Sequence, residues 1–202
     1  MNLDIPKKFS GLVSQAHQVA ERYYRPISRK YDKAEHSYPR ELDLLAGLLD
    51  GMNASSPEAV GATSASKRSV GNQDHANQNG GNMAALLGIM ELCWGDVGLL
   101  LAMPRQGLGN AAIAAVANPQ QLERFKGVWA AMAITEPGCG SDSAAIRTTA
   151  TKLGDEYVLN GEKIFVTSGE RADAVVVWAT LDKALGRAAI KSFVVEKGTP
   201  GM

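Results

Sequence analysis

Two short tracts carry the residue types that could do chemistry. The first, residues 132–141, reads MAITEPGCGS, and the second, residues 165–167, reads FVT. Thr135 and Thr167 each close an apolar run with a hydroxyl, and Gly140 and Ser141 lie in a Gly-Cys-Gly bend that offers free backbone N–H groups. Strand alternation would set Met132 and Ile134 on one face, Ala133 and Thr135 on the other, and Phe165 beside Thr167. An aromatic face next to hydroxyl and amide donors suits a flavin, whose edge hydrogen-bonds and whose faces are apolar. The same residues also fit an ordinary sheet core, where aromatics and threonines fill β positions. Both readings stay open at this level.

Other chemistries fit less well. A dinucleotide fingerprint at PGCGSD would need glycine at Ser143, then a helix and a parallel strand, whereas a hairpin is expected next. The lysine of a phosphate loop is absent as well. His17, His36 and His75 are scattered with no cysteine or carboxylate pattern, so no metal site is expected. Cys139 has no neighbour that would favour a thiolate and reads as structural. Asp142 and Ser143 read as caps of the turn that follows.

The elements that must position the tracts follow from the hydrophobic period. Phe9, Leu12, Val13, Ala16, Ala20, Tyr23 and Ile27 have helical spacing, which Pro26 should kink or split. A second helix is expected over 39–50, with Leu42, Leu45 and Leu49 on one face. Residues 52–81 are rich in Ser, Asn, Gln and Gly, cannot offset their ordering entropy by burial, and read as a long loop. Helical character returns over 82–94, 96–103, 110–117 and 119–126. At Val128 the period becomes that of strands. Strands are expected over 128–134, 148–153, 156–159, 163–167, 174–179 and 190–196, with Gly154-Asp155 and Asn160-Gly161 as hairpin turns. Consecutive short strands with tight turns imply an antiparallel sheet or barrel. The expected class is therefore α+β: an all-helical domain over 1–127, then an antiparallel β-barrel domain over 128–202 that has not closed.

Composition bounds the partners. The 202 residues are 45% hydrophobic and 21% charged, and Lys+Arg and Asp+Glu balance at 21 each. A neutral total argues against nucleic acid or an anionic membrane as the main partner. Two cysteines are too few for a disulfide framework and suit a reducing cytoplasm. No apolar run reaches the length of a membrane span, and nothing signal-like opens the chain.

The tracts MAITEPGCGSD and TTATKLGDEYVLNGEKIFVTSGERAD, together with the helices before them, resemble the acyl-CoA dehydrogenase family. T-E-P-x-x-G-S-D and N-G-x-K-x-x-[IV]-T, spaced as here, are specific to it. The resemblance implies a helical domain, a β-barrel domain, and FAD held between that barrel and a C-terminal helix bundle. It makes the chain an amino-terminal portion that stops before that bundle. By position it implies cofactor contacts from Met132, Ala133, Ile134, Thr135, Gly140 and Ser141, then from Phe165, Val166 and Thr167. Ile134 and Thr135 would bond the pyrimidine edge, Phe165 would lie on the ring, and Thr167 would offer its hydroxyl to the hydride-accepting nitrogen. Ser141 would meet the phosphate-bearing part of FAD or the CoA thioester arm, and Val97 and Leu101 would wall the acyl chain. The implied reaction is α,β-dehydrogenation of an acyl-CoA in fatty-acid β-oxidation, with an electron-transfer flavoprotein as acceptor and a homo-oligomeric dimer or tetramer.

The family's carboxylate base lies in the C-terminal bundle, so no residue here is expected to be catalytic. Glu136 is then expected to hold the bend by hydrogen bonds. Phe165 replaces the family's usual tryptophan, Met132 an aromatic, and Cys139 a small residue. An oxygen-using FAD enzyme of the same fold and a non-catalytic truncated subunit are the alternatives.

Overall fold

The computed structural model describes residues 5–34, 37–53, 81–104 and 108–202. Most of the expected long loop (54–80), His36 and His75 lie outside them, while Met52, Asn53 and Gly81 are helical. The chain divides into two compact units, which meet in sequence between Pro104 and Arg105.

Among the described residues, the first unit holds five α-helices: α1 (Ser10–Val19), α2 (Arg25–Lys33), α3 (Glu41–Asn53), α4 (Gly81–Gly95) and α5 (Val97–Ala102). The split expected at Pro26 is a π turn over Ala20–Tyr24, in which the Arg25 N–H reaches back to the Ala20 carbonyl. Proline has no N–H for the next helical bond, and one wider turn absorbs the loss. That turn buries Tyr24, which packs with Leu42, Leu45 and Leu99. Each such leucine stabilises the unit by roughly 2 kcal/mol. Burial, then the nearby Asp96 and Cys93, push the Tyr24 phenol up to about 12. Asp96 caps α5 by accepting from the Leu99 N–H at 2.8 Å and also accepts from the Ser28 hydroxyl.

Among the described residues, the second unit holds α6 (Leu108–Val116), α7 (Pro119–Arg124) and five strands: β1 (Ala130–Ala133), β2 (Thr149–Leu153), β3 (Glu156–Asn160), β4 (Ala174–Thr180) and β5 (Ile190–Glu196). Asn118 and Gln121 form a reciprocal capping box at the start of α7. Gly154 at φ 62° turns β2 into β3, as expected.

The sheet corrects the expected antiparallel barrel. β5 pairs antiparallel along the whole of β4, from Ala174 to Thr180. β1 runs parallel to β4 from Ala130↔Ala174 to Ala133↔Val177, and β2 meets β4 in parallel at Thr149↔Thr180. The sheet is mixed and open. A parallel return needs a long connection, and the hairpin β2–β3 with the loop after it supplies one. Alternation along β1 and β4 then feeds both faces. Ala130, Ala174 and Val176 pack with Ile113 and Phe125, whereas Ala131, Ala133 and Val175 pack with Ala172. A strand buried on both faces has to be apolar throughout, which is how β1 and β4 read.

Helix α6 is pinned to β1. The buried Asn110 donates to the Val128 carbonyl at 2.6 Å and accepts from the Ala130 N–H at 3.1 Å. At Gly109 a Cβ would lie 2.3 Å from the Ala131 carbonyl oxygen, so only glycine allows this approach.

Residues 163–167 are not a strand, and Asn160-Gly161 does not make a hairpin. A Cβ at Gly161 would meet the Thr148 hydroxyl at 2.4 Å, and there the chain leaves the sheet. Phe165 and Ser168 sit in the left-handed region, at φ 56° and 61°. The strand-face argument that set Phe165 beside Thr167 therefore fails.

Candidate functional site

The two tracts meet just past the end of β1. Ladder pairing stops at Ala133↔Val177, leaving the next carbonyls without a strand partner. The Ile164 N–H donates to the Thr135 carbonyl at 2.9 Å. Beside it the Lys163 ammonium donates to the Ile134 carbonyl at 2.9 Å and to Glu136 at 2.8 Å. Long-range bonds thus hold residues 163–164 against the end of β1, where the strand pattern alone would have paired 163–167 with 156–159.

Glu136 anchors the bend. Its backbone N–H bonds the Cys139 carbonyl and its carbonyl accepts from the Cys139 N–H, closing a tight turn through Pro137 and Gly138. Its side chain is only 6% exposed. The carboxylate accepts from the Arg147 N–H at 2.7 Å, the Thr148 N–H at 2.9 Å, the Thr148 hydroxyl at 2.6 Å and Lys163. Burial by itself would raise the carboxyl, but Lys163, Thr148 and the two backbone donors outweigh it and hold the group at about 2. The expectation that Glu136 holds the bend is met, and a carboxyl held at about 2 is too weak a base to take a proton from a substrate.

Cys139 is half-buried, with Sγ 3.9 Å from Glu136. Asp142 makes no side-chain cap, contrary to expectation; its carbonyl accepts from the Ala145 N–H at 3.0 Å instead.

Among the other cofactor candidates, Met132 and Ala133 belong to β1, where Ala133 is buried and Met132 half-buried. Ile134, Thr135 and Thr167 are half-buried, while Gly140 and Ser141 are exposed. Among the described residues, no hydrogen bond within the chain uses the N–H of Thr135, Gly140 or Ser141. Val166 packs against the Ala131–Val175 side of the sheet. Phe165 is 88% exposed on a left-handed backbone. That conformation costs a bulky residue about 1 kcal/mol, and full exposure returns nothing for it. A strained aromatic presented to solvent beside unused N–H donors fits a planar partner. Val97 and Leu101, the acyl-wall candidates, stand one turn apart on α5 in the first unit, each more than half exposed.

Ser141 also lines a cavity of about 520 Å³ with Ile134, Asp142, Trp178, Arg187 and Ile190. Among the described residues, the buried indole N–H of Trp178 has no acceptor. Walls that mix apolar groups with the Arg187 guanidinium, the Ser141 and Ser143 hydroxyls and the Asp142 carboxylate suit an extended ligand whose phosphate lies at Arg187. Lys163 stood in the recognised motif without a role, and the missing signal was its distance in space to Glu136. Nothing in the sequence marked Trp178 or Arg187.

Residues 131–202 match the family model described as acyl-CoA dehydrogenase, middle domain. A cyclohex-1-ene-1-carbonyl-CoA dehydrogenase of Syntrophus aciditrophicus (strain SB) is 53% identical over 72 residues, 36% of this chain and 17% of that protein. A 3-(aryl)acrylate reductase of Clostridium sporogenes is 27% identical over 192 residues, 93% of this chain and 47% of that protein. The butyryl-CoA dehydrogenase structure from Megasphaera elsdenii superposes with a TM-score of 0.69 at 26% identity, covering 100% of this chain and 51% of that one. The chain thus spans about half the length of the relatives it matches throughout.

Proposed function

We propose that this chain, whose residues 131–202 match the acyl-CoA dehydrogenase middle domain, is part of an enzyme of that family, in which it holds FAD while two hydrogens are taken from an acyl-CoA thioester to leave a 2-enoyl-CoA. The observation that supports this best is Phe165, solvent-exposed and left-handed, bonded through its neighbour Ile164 to Thr135. When bound, the flavin supplies acceptance of the β-hydrogen as hydride.

The chain's own residues bind and orient. Ile134 and Thr135 hold the polar edge of the ring, with Met132, Ala133, Gly140 and Val166 shaping the tracts around it. Phe165 covers one face, a burial worth roughly 2 kcal/mol. The Thr167 hydroxyl donates where negative charge develops, an electrostatic contribution. Ser141 and Arg187 receive the phosphate-bearing part of the cofactor or the CoA arm, and Val97 and Leu101 wall the acyl chain. The α-proton goes to no residue of this chain, and Glu136 is unsuited to take it. The relatives' names point to dissimilar substrates, a cyclohexenecarbonyl-CoA, an arylacrylate and a butyryl-CoA, so fatty-acid β-oxidation is our reading of the pathway. An electron-transfer flavoprotein as acceptor, assembly into a homo-oligomer and a cytoplasmic setting complete it.

The test is a titration of the purified chain with FAD, followed by flavin fluorescence and visible absorption, then anaerobic addition of an acyl-CoA. Phe165→Gly relieves the left-handed strain, so it should keep the fold while weakening FAD binding about thirtyfold, the equivalent of that roughly 2 kcal/mol. A colourless chain that takes up no FAD would leave the family membership standing and remove the cofactor site from these tracts alone.

A further inference from the structure

We propose that Lys163 is a positioning residue, which sets the spacing between the two flavin tracts by bridging the Ile134 carbonyl and the Glu136 carboxylate. The inference rests on the cofactor reading above, and it names the part that fixes the geometry of that site.

Lys163 is 9% exposed, and Glu136 opposite it is 6% exposed. Its ammonium lies 2.9 Å from the Ile134 carbonyl and 2.8 Å from the carboxylate. The carbonyl it reaches is the first beyond the β1–β4 ladder, so without Nζ that acceptor is left unpaired. One residue on, the Ile164 N–H bonds Thr135. Consecutive residues leading into the second tract therefore grip consecutive residues of the first. Phe165, next in sequence, carries the left-handed backbone that presents its ring.

The chemistry of the side chain matters. An ammonium has three donors and no acceptor, so it can serve a carbonyl and a carboxylate together. A neutral donor could satisfy the carbonyl but would leave the Glu136 charge buried without its counter-ion. If the pair served only the fold, removing both charges together should be harmless, because a buried ion pair often exchanges for neutral groups at little cost. If Lys163 sets the spacing, the double replacement should restore stability without restoring the grip.

Three variants separate these cases: Lys163→Met, Glu136→Gln, and both together. Each is measured for thermal stability and amide exchange on the full chain without FAD, then for FAD affinity by titration. Lys163→Met alone should lower the melting temperature. The double variant should recover most of that loss, with β4 and β5 amides exchanging at wild-type rates. In the double variant the Ile164 amide should still exchange about tenfold faster than in wild type, since that bond opens locally. FAD affinity should stay about tenfold weaker. A double variant that regains stability, Ile164 protection and FAD affinity together would overturn the proposal. A wild-type chain that leaves FAD unbound would count against the cofactor reading alone, and the exchange arm would still decide the grip.

Discussion

The Glu136 carboxylate accepts four hydrogen bonds from Arg147, Thr148 and Lys163. At the residue scale those four donors decide both role and pH response. Its folded carboxyl, at about 2, lies below the ordinary 4.5. A depressed carboxyl contributes stability that is complete above about 4.5 and is lost as pH falls toward 2. The group is buried, so the shift corresponds to roughly 3 kcal/mol. Urea unfolding of wild type and Glu136→Gln at neutral pH should therefore differ by about that amount. The gap should close between pH 4.5 and pH 2. Glu41, held at about 2 first by Lys30 and then by Tyr31, titrates in the same window, but it is common to both proteins and cancels. A gap that stays constant down to pH 2 would mean that Glu136 acts through packing and not through charge.

Elements were legible wherever their causes are local. The helical stripes, the Gly154 turn and the span of β5 follow from period and turn residues, and the structure keeps them within a few residues. The apolar run before Thr135 was read as a strand, and β1 lies inside it. Illegible were features caused by groups distant in sequence. Asn160-Gly161 carries a strong hairpin signal, yet Lys163 is drawn to Glu136 and Ile164 to Thr135, so the would-be strand never forms. The parallel pairing of β1 with β4 likewise depends on which edge of β4 is taken by β5. Helix α6 is a further case, since its close approach to β1 is written only in Gly109 and Asn110. Gly109→Ala would place Cβ against the carbonyl oxygens of Ala130 and Ala131, at 2.4 and 2.3 Å. Backbone has to shift to admit it, at a cost of about 2 kcal/mol. Calorimetry should show that loss in the unfolding of the second unit. A neutral outcome would mean that α6 slides freely over β1.

For the whole molecule, charge balance hides a local asymmetry. Lys+Arg and Asp+Glu cancel at 21 each, so no general field draws anions to the chain. Attraction for a phosphate must then be built at one place. In the second unit the cavity beside Ser141 has, among the described residues, Arg187 as its only cation and Asp142 as its one carboxylate. A guanidinium there can bind phosphate through two parallel N–H donors, while Ser141 adds a hydroxyl. FAD and CoA both carry such phosphates and riboflavin carries none, so the three ligands separate the ring from the tail. Arg187→Ala should weaken whichever of FAD or CoA occupies this cavity by about tenfold, the value of one charge-assisted contact. Riboflavin affinity should not change. Raising the salt should weaken the wild-type complex and leave the variant less affected, because screening acts on the charge that has been removed. Equal losses for riboflavin and FAD would place Arg187 at the ring. No loss for either FAD or CoA would show that the cavity serves neither, leaving the tracts around Thr135 and Phe165 to hold the flavin without it.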